Sequence, residues 1–369
     1  MGVGFIFQEI KSPAQWSWGF LFLFGGYMMR KLLVVLLMLA VLAGALSACQ
    51  QPAGPGTDAS SASATDNQAS PQAARPLSTT DNKDVAPVYP VTVEDDLGRK
   101  ITLTKKPVRI ISLAPSNTEI LFALGLSESI VGVTDYCDYP EAAKEKTRVA
   151  GYSTPDLEKL VSLQPDLVVA ESIHEKTVLP ALERLGIPVY VSWAYRVETI
   201  LKETSDLGHL TGRTSQAEEL TNAMNKKING VVDITGKMTD KQKLRVLYLN
   251  WHNPLWTVGA NTYINDIISK AGGINIYEKD FEKSRAVSLE SIISRNPQII
   301  LVSGMGTTGD VVYKAVKDEV RLYSVDAAIN NRIYKISNAD YIERPGPRVV
   351  EGLIEIAGMI HPEIFKPRQ

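Results

Sequence analysis

The residues that could do chemistry in this 369-residue chain are few, and their spacing sorts them. Gly304, Gly306 and Gly309 form a G-x-G-x-x-G between an apolar run and a short helical stretch, with Asp326 near the distance of a ribose-binding acid. That pattern would cradle the pyrophosphate of a dinucleotide and make the chain an enzyme. Against it, the motif sits late in its half of the chain and the charged Lys317-Asp318-Glu319 follows closely, which suits an ordinary glycine-rich loop. No G-x-S-x-G, H-E-x-x-H or C-x-x-C occurs, so no activated nucleophile and no zinc set is nominated. His174, His209, His252 and His361 are scattered, which argues against a multi-histidine metal site. A net charge of −2 offers no basic excess for nucleic acid. Binding without catalysis, cofactor or resident metal is the expectation.

The best binding nominees are aromatic. Phe, Trp and Tyr make up only 7% of the chain, yet Tyr136, Tyr152, Trp193, Trp251, Trp256 and Tyr341 fall where strands should end. Open α/β sheets meet ligands at the carboxyl ends of their strands. Singly, each ring could be a half-buried core residue; as a set they suit a flat, apolar-faced ligand.

The elements that must position these residues are organised around a stretch written twice. Thr154 to Ala170, TPDLEKLVSLQPDLVVA, reads as a short amphipathic helix, a proline break and a buried strand. Thr154 is expected to cap that helix and Pro155 to take its first position. VSLESIISRNPQIILV, Val287 to Val302, repeats the order, with Glu158 answered by Glu290 and Pro165 by Pro297. Around these, strands are expected at Val108–Ala114, Ile130–Val133, Pro188–Val191, Leu244–Leu249 and Arg332–Ile336, alternating with helices, after a hairpin turning at Asp96-Leu97-Gly98. Ser116 and Glu119 are spaced as a capping box. Alternation of this kind predicts parallel sheets covered on both faces. One long polar–apolar stretch, 197–234, interrupts it and reads as a bridging helix, with Gly208 and Gly212 allowing two abutting helices. The predicted architecture is α/β, two Rossmann-like lobes with mainly parallel sheets, at 87–196 and 235–369, joined by that helix.

The N-terminus is not part of this fold. Met29-Arg30-Lys31 and then Leu32 to Leu46 read as the charged and apolar regions of a signal sequence. It ends in Leu46-Ser47-Ala48-Cys49, which resembles the lipobox of bacterial lipoproteins and implies cleavage before Cys49 and a lipid on that residue. An uncleaved transmembrane helix would want a longer apolar run. Residues 1–28 suit a misassigned start, with Met28 or Met29 as the first residue. From Gln50 to about Ala86 the composition is Gln, Pro, Ala, Gly, Ser, Thr and Asp, which predicts a disordered tether. Its reach would be roughly 30–35 Å. With Cys49 lipidated, Cys137 has no intrachain partner and reads as a partly buried thiol.

RIISLAPSNTEILFALG, VGVTDYCDYP, VSLE…NPQIILV and YIERPGPRVV together resemble the cobalamin- and siderophore-binding proteins of ABC importers, from Val108 to about Pro362. The resemblance implies a class III periplasmic-binding-protein fold, ligand capture between the lobes, and delivery to a permease dimer with its ATPase subunits. It implies a monomer, lipid-anchored outside the cytoplasm, that is not an enzyme. Glu158 and Glu290 match the family's two permease-docking glutamates; each alone could merely stabilise a helix dipole. The cobalamin branch is the nearer. There Tyr136, Tyr152, Trp256, Asp340 and Arg344 match ligand-side positions, while Ser284 replaces a family tryptophan. A ferric siderophore would instead draw on Arg196, Arg285 and Arg344, and haem on a tyrosine or His252 as axial ligand.

Overall fold

A computed structural model describes residues 88–304 and 308–365. The signal sequence, Cys49, the tether and Gly306 lie outside the described residues. The described chain opens with the antiparallel hairpin β1 (Val91–Glu94) and β2 (Lys100–Leu103), turning through Gly98 at φ +75°. There follow β3 (Ile110–Ser112), α1 (Pro115–Ala123), β4 (Ile130–Val133), α2 (Leu157–Ser162), β5 (Leu167–Glu171), α3 (Leu179–Arg184) and β6 (Val189–Ser192). β3 to β6 form one parallel sheet in the order β4-β3-β5-β6.

Two helices come next, α4 (Val197–Thr211) and α5 (Thr214–Thr235). The second half then runs β7 (Leu244–Leu249), β8 (Trp251–His252), β9 (Leu255–Thr257), α6 (Tyr263–Lys270), β10 (Gly273–Asn275) and β11 (Arg285–Val287). It closes with α7 (Leu289–Arg295), β12 (Ile299–Val302), α8 (Gly309–Lys317), α9 (Asp326–Ile329), β13 (Ile333–Lys335), α10 (Asp340–Glu343), α11 (Val349–Ile360) and the short α12 (Pro362–Phe365). β10, β7, β12 and β13 make the second parallel sheet, in that order.

Both sheets are buried on both faces, which is why their strands read as continuous apolar runs. The period of two still decides which core each side chain enters. In β7, Val246 and Tyr248 join the core formed with α11, whereas Leu247 and Leu249 join the one formed with α7 and α8. β5 divides the same way, Leu167 and Val169 to one side, Val168 and Ala170 to the other.

Several local expectations are revised. The stretch 197–234 is not one helix. α4 ends where Gly212 takes φ +66°, and Gly208 lets the two helices close, because a Cβ there would lie 2.3 Å from that of Ala217. Val197 and Ile200 at the start of α4 belong to the second lobe's core, Leu207, Leu210 and Ala217 to the first lobe's, and Met224, Ile228 and Val231 of α5 to the second lobe's again. The bridge is therefore a helical hairpin. The helix after Thr154 is capped by Asp156, whose Oδ1 accepts the Lys159 N–H at 3.0 Å; Thr154 stays in the preceding loop, where Pro155 bridges Ala150. α1 has no side-chain cap because it begins at Pro115 with Ala114 as its N-cap, which puts Ser116 inside the helix and leaves Glu119 free to turn to Arg348. β8, β9 and β11 form a small antiparallel sheet that the pattern of two- and three-residue strands did not announce. Cys137 is fully buried against the hydroxyls of Thr118 and Thr134.

A cleft between the lobes

The carboxyl ends of β3, β4 and β5 open onto a cleft of about 630 Å³ whose far wall is α10 and the residues just after it. Pro115 and Ser116 follow β3, Tyr136 follows β4, and Glu171 ends β5; Asp340, Glu343 and Arg344 face them from the second lobe. Of the residues nominated from sequence, Tyr136, Tyr152, Asp340 and Arg344 line this one space. Trp256 stands outside the lining, on β9, opposite Trp251 and Ala286 in the small antiparallel sheet. Glu171 and Glu343 were not nominated. A charged residue closing an apolar strand, LVVA-Glu171, was the available signal for the first. The second sits inside the DYIER motif itself.

The first-lobe wall is fixed by one hydrogen-bonded unit. The Tyr152 hydroxyl donates to Glu171, the Glu171 N–H donates to His174 Nδ1 at 3.0 Å, and His174 Nε2 meets the Tyr152 carbonyl at 2.6 Å. An acceptor Nδ1 requires the proton on Nε2, so this is the neutral imidazole. Burial accordingly pushes the His174 pKa down, and it pushes the Glu171 carboxyl up against the opposing hydrogen bond from Tyr152. Tyr136, by contrast, is 61% exposed and offers its ring to the cleft.

Beside the cleft the lobes are fastened by charge. Arg348 forks onto Glu119 of α1, with Nε 2.8 Å from Oε2 and Nη2 2.6 Å from Oε1, and its guanidinium lies 3.9 Å from the Tyr139 ring centroid. Arg344 reaches Asp138 Oδ1 at 2.6 Å, Asp340 Oδ1 at 3.1 Å and Glu119 Oε1 at 3.6 Å. The residue spaced as a helix cap is thus the anchor of an interlobe ion network. Arg196 and Arg285, the other cations considered for a ferric siderophore, do not line the cleft, nor does His252.

Glu158 and Glu290 are both exposed, one near the start of α2 and one near the start of α7, each helix leading into a sheet strand. Arg321 approaches Glu290 at 3.9 Å. The glycine-rich motif fares differently. Gly304 has φ +87°, and a Cβ on it would lie 2.5 Å from Gly309 Cα, so these glycines serve the loop's own closure. Asp326 is held by Arg245 at 3.2 Å, with its N–H on Asn296, at the amino end of β7 and β12. Gly304 follows the carboxyl end of β12, so the acid and the motif lie at opposite ends of the sheet.

Two α/β lobes with an aromatic and polar cleft between them, spanned by a helical bridge, define a two-lobed solute-binding protein. The periplasmic binding protein family model matches residues 110–339, and the chain belongs to that family. It is 31% identical over 284 residues to the uncharacterized ABC transporter substrate-binding lipoprotein YvrC of Bacillus subtilis, covering 76% of this chain and 88% of that protein. With the vitamin B12-binding protein of Vibrio parahaemolyticus it shares 29% over 258 residues, 69% of this chain and 90% of the other. Among solved structures, a possible iron-binding, periplasmic solute-binding protein of Staphylococcus epidermidis is 32% identical with a TM-score of 0.60, covering 70% of this chain and all of that one. These relatives are named as binding proteins, which supports binding rather than catalysis here. Among the described residues no helix is long and apolar enough to cross a membrane.

Proposed function

We propose that this chain is the extracytoplasmic, lipid-anchored substrate-binding protein of an ABC importer, capturing cobalamin or a related corrinoid between its lobes. The observation that carries the ligand is the cleft lining: Tyr136 and Tyr152 with Asp340 and Arg344, in about 630 Å³. Aromatic faces cover a flat macrocycle, and fixed polar groups hydrogen-bond its peripheral amides. Arg344 is already committed to three carboxylates, which leaves little positive charge for a ferric siderophore. The named function of the Vibrio relative agrees with this reading.

Calorimetric titration with cyanocobalamin, ferric siderophores and haem tests it. The expected result is micromolar or tighter binding of cyanocobalamin, lost in Tyr136→Ala and Arg344→Ala; heat with a siderophore or haem alone would replace the corrinoid. Glu158 and Glu290 are proposed to dock on the permease as rim charges, giving register and on-rate rather than affinity, with the lipid on Cys49 holding the protein nearby. Uptake unimpaired in cells carrying Glu158→Ala with Glu290→Ala would remove the docking role, and fatty-acid labelling that survives Cys49→Ser would remove the anchor.

A further inference from the structure

Glu343 enters the cleft with one of its two oxygens already spoken for. Its Oε1 accepts the hydroxyl of Tyr248 at 2.6 Å and also that of Ser303, and those hydroxyls are themselves 2.6 Å apart. Tyr248 belongs to β7 and Ser303 directly follows β12, the two central strands of the second sheet, and both residues are buried. A carboxylate clamped from a rigid sheet has little rotamer freedom left to lose when a ligand arrives. Its Oε2 has no hydrogen-bonding partner among the described residues. The neighbouring guanidinium of Arg344 is engaged by Asp138, Asp340 and Glu119, so it does not neutralise that oxygen. The wall therefore presents a fixed acceptor.

We infer that Glu343 is a specificity-determining residue: Oε2 accepts an N–H from a peripheral carboxamide of the ligand, so that the cleft selects fully amidated corrinoids over those bearing free carboxylates. The inference rests on the corrinoid reading above and deepens it. A carboxylate in the amide's place would set two acceptors of like charge face to face, which is rejection by an introduced repulsion. An amide, neutral and carrying two N–H donors, meets the same oxygen favourably.

The test compares dicyanocobinamide, whose side chains are amides, with dicyanocobyrinic acid, whose side chains are acids, by titration of the full chain in detergent, with cyanocobalamin alongside. The wild type is expected to prefer the amide by about 100-fold or more, as sites built to bond a ligand N–H do. Glu343→Gln keeps the shape, removes the charge and adds donors, and is expected to close that gap by about tenfold. Ser303→Ala, which releases half of the clamp, should close part of it. Equal affinity of the wild type for amide and acid, or an unchanged ratio in Glu343→Gln, overturns the inference while cyanocobalamin binding leaves the corrinoid reading standing. No binding of any corrinoid by the wild type removes both.

Discussion

Glu119 and His174 illustrate how much a single residue's role depends on what the fold brings to it. Local spacing made Glu119 half of a capping box, and no sequence window could reveal that its partner is Arg348, 229 residues away. Tyr136 and Tyr152 were legible as aromatics where strands should end, Asp340 and Arg344 only through the family resemblance of their motif, and all four line one cleft. Trp256 sat in an equally plausible place, but it pairs with Trp251 in the small antiparallel sheet and is not among the residues lining the cleft. His174 supports a prediction. Burial holds its folded-state pKa below the ordinary value, so the unfolded chain takes up the proton first. Its contribution is present above about pH 6.5 and is lost as pH falls through that value and toward the folded pKa, at up to about 1.4 kcal/mol per pH unit. Urea unfolding from pH 8 to 5 should show the wild type losing stability relative to His174→Gln, less stable at pH 8 but flatter. Parallel curves would mean the imidazole is not held neutral.

At the scale of elements, the alternation of apolar runs and amphipathic stretches was enough to read the first parallel sheet and β7, β12 and β13 of the second, because buried strands need no polar face; the three-residue edge strand β10 was not read. Where strands shrink to two or three residues, as in β8, β9 and β11, no period exists to be read. The bridge lies between these cases. Its apolar spacing is helical throughout, and only the glycines reveal that the chain turns back. Gly208 is where this can be measured. The Cβ of alanine there would meet the Ala217 Cβ at 2.3 Å and Arg213 O at 3.1 Å. Gly208→Ala should cost about 1–3 kcal/mol through overpacking, and adding Ala217→Gly should recover part of it in thermal or urea unfolding. A neutral Gly208→Ala would show that the helices are not in close contact.

For the molecule as a whole, the question is how far the lobes move. Glu119 has a side chain only 2% exposed and forked by Arg348 across the interface. Removing Arg348 would leave Glu119 with only the longer contact to Arg344 at 3.6 Å and without its two direct hydrogen bonds, at about 1–3 kcal/mol. Arg348→Ala should therefore be destabilised by that order and should scatter X-rays as a more open, more variable particle, whereas the wild type should change little between free and ligand-bound forms. A large rotation of the wild type on binding, or an unaltered Arg348→Ala, would argue that the network does not hold the lobes. This whole-molecule feature was beyond the sequence, since it joins residues of α1 to residues beyond α10.

The hairpin of α4 and α5 carries the chain into the second lobe's core, back to the first and out again, with Gly212 and Arg213 at its tip. A single cleavage by trypsin after Arg213 would thus sever the polypeptide without freeing either half. The amino-terminal fragment would still have Val197 and Ile200 seated in its neighbour, and the carboxyl-terminal fragment would still lend Ala217 in return. The two pieces would persist as a clasped heterodimer, each holding part of the other.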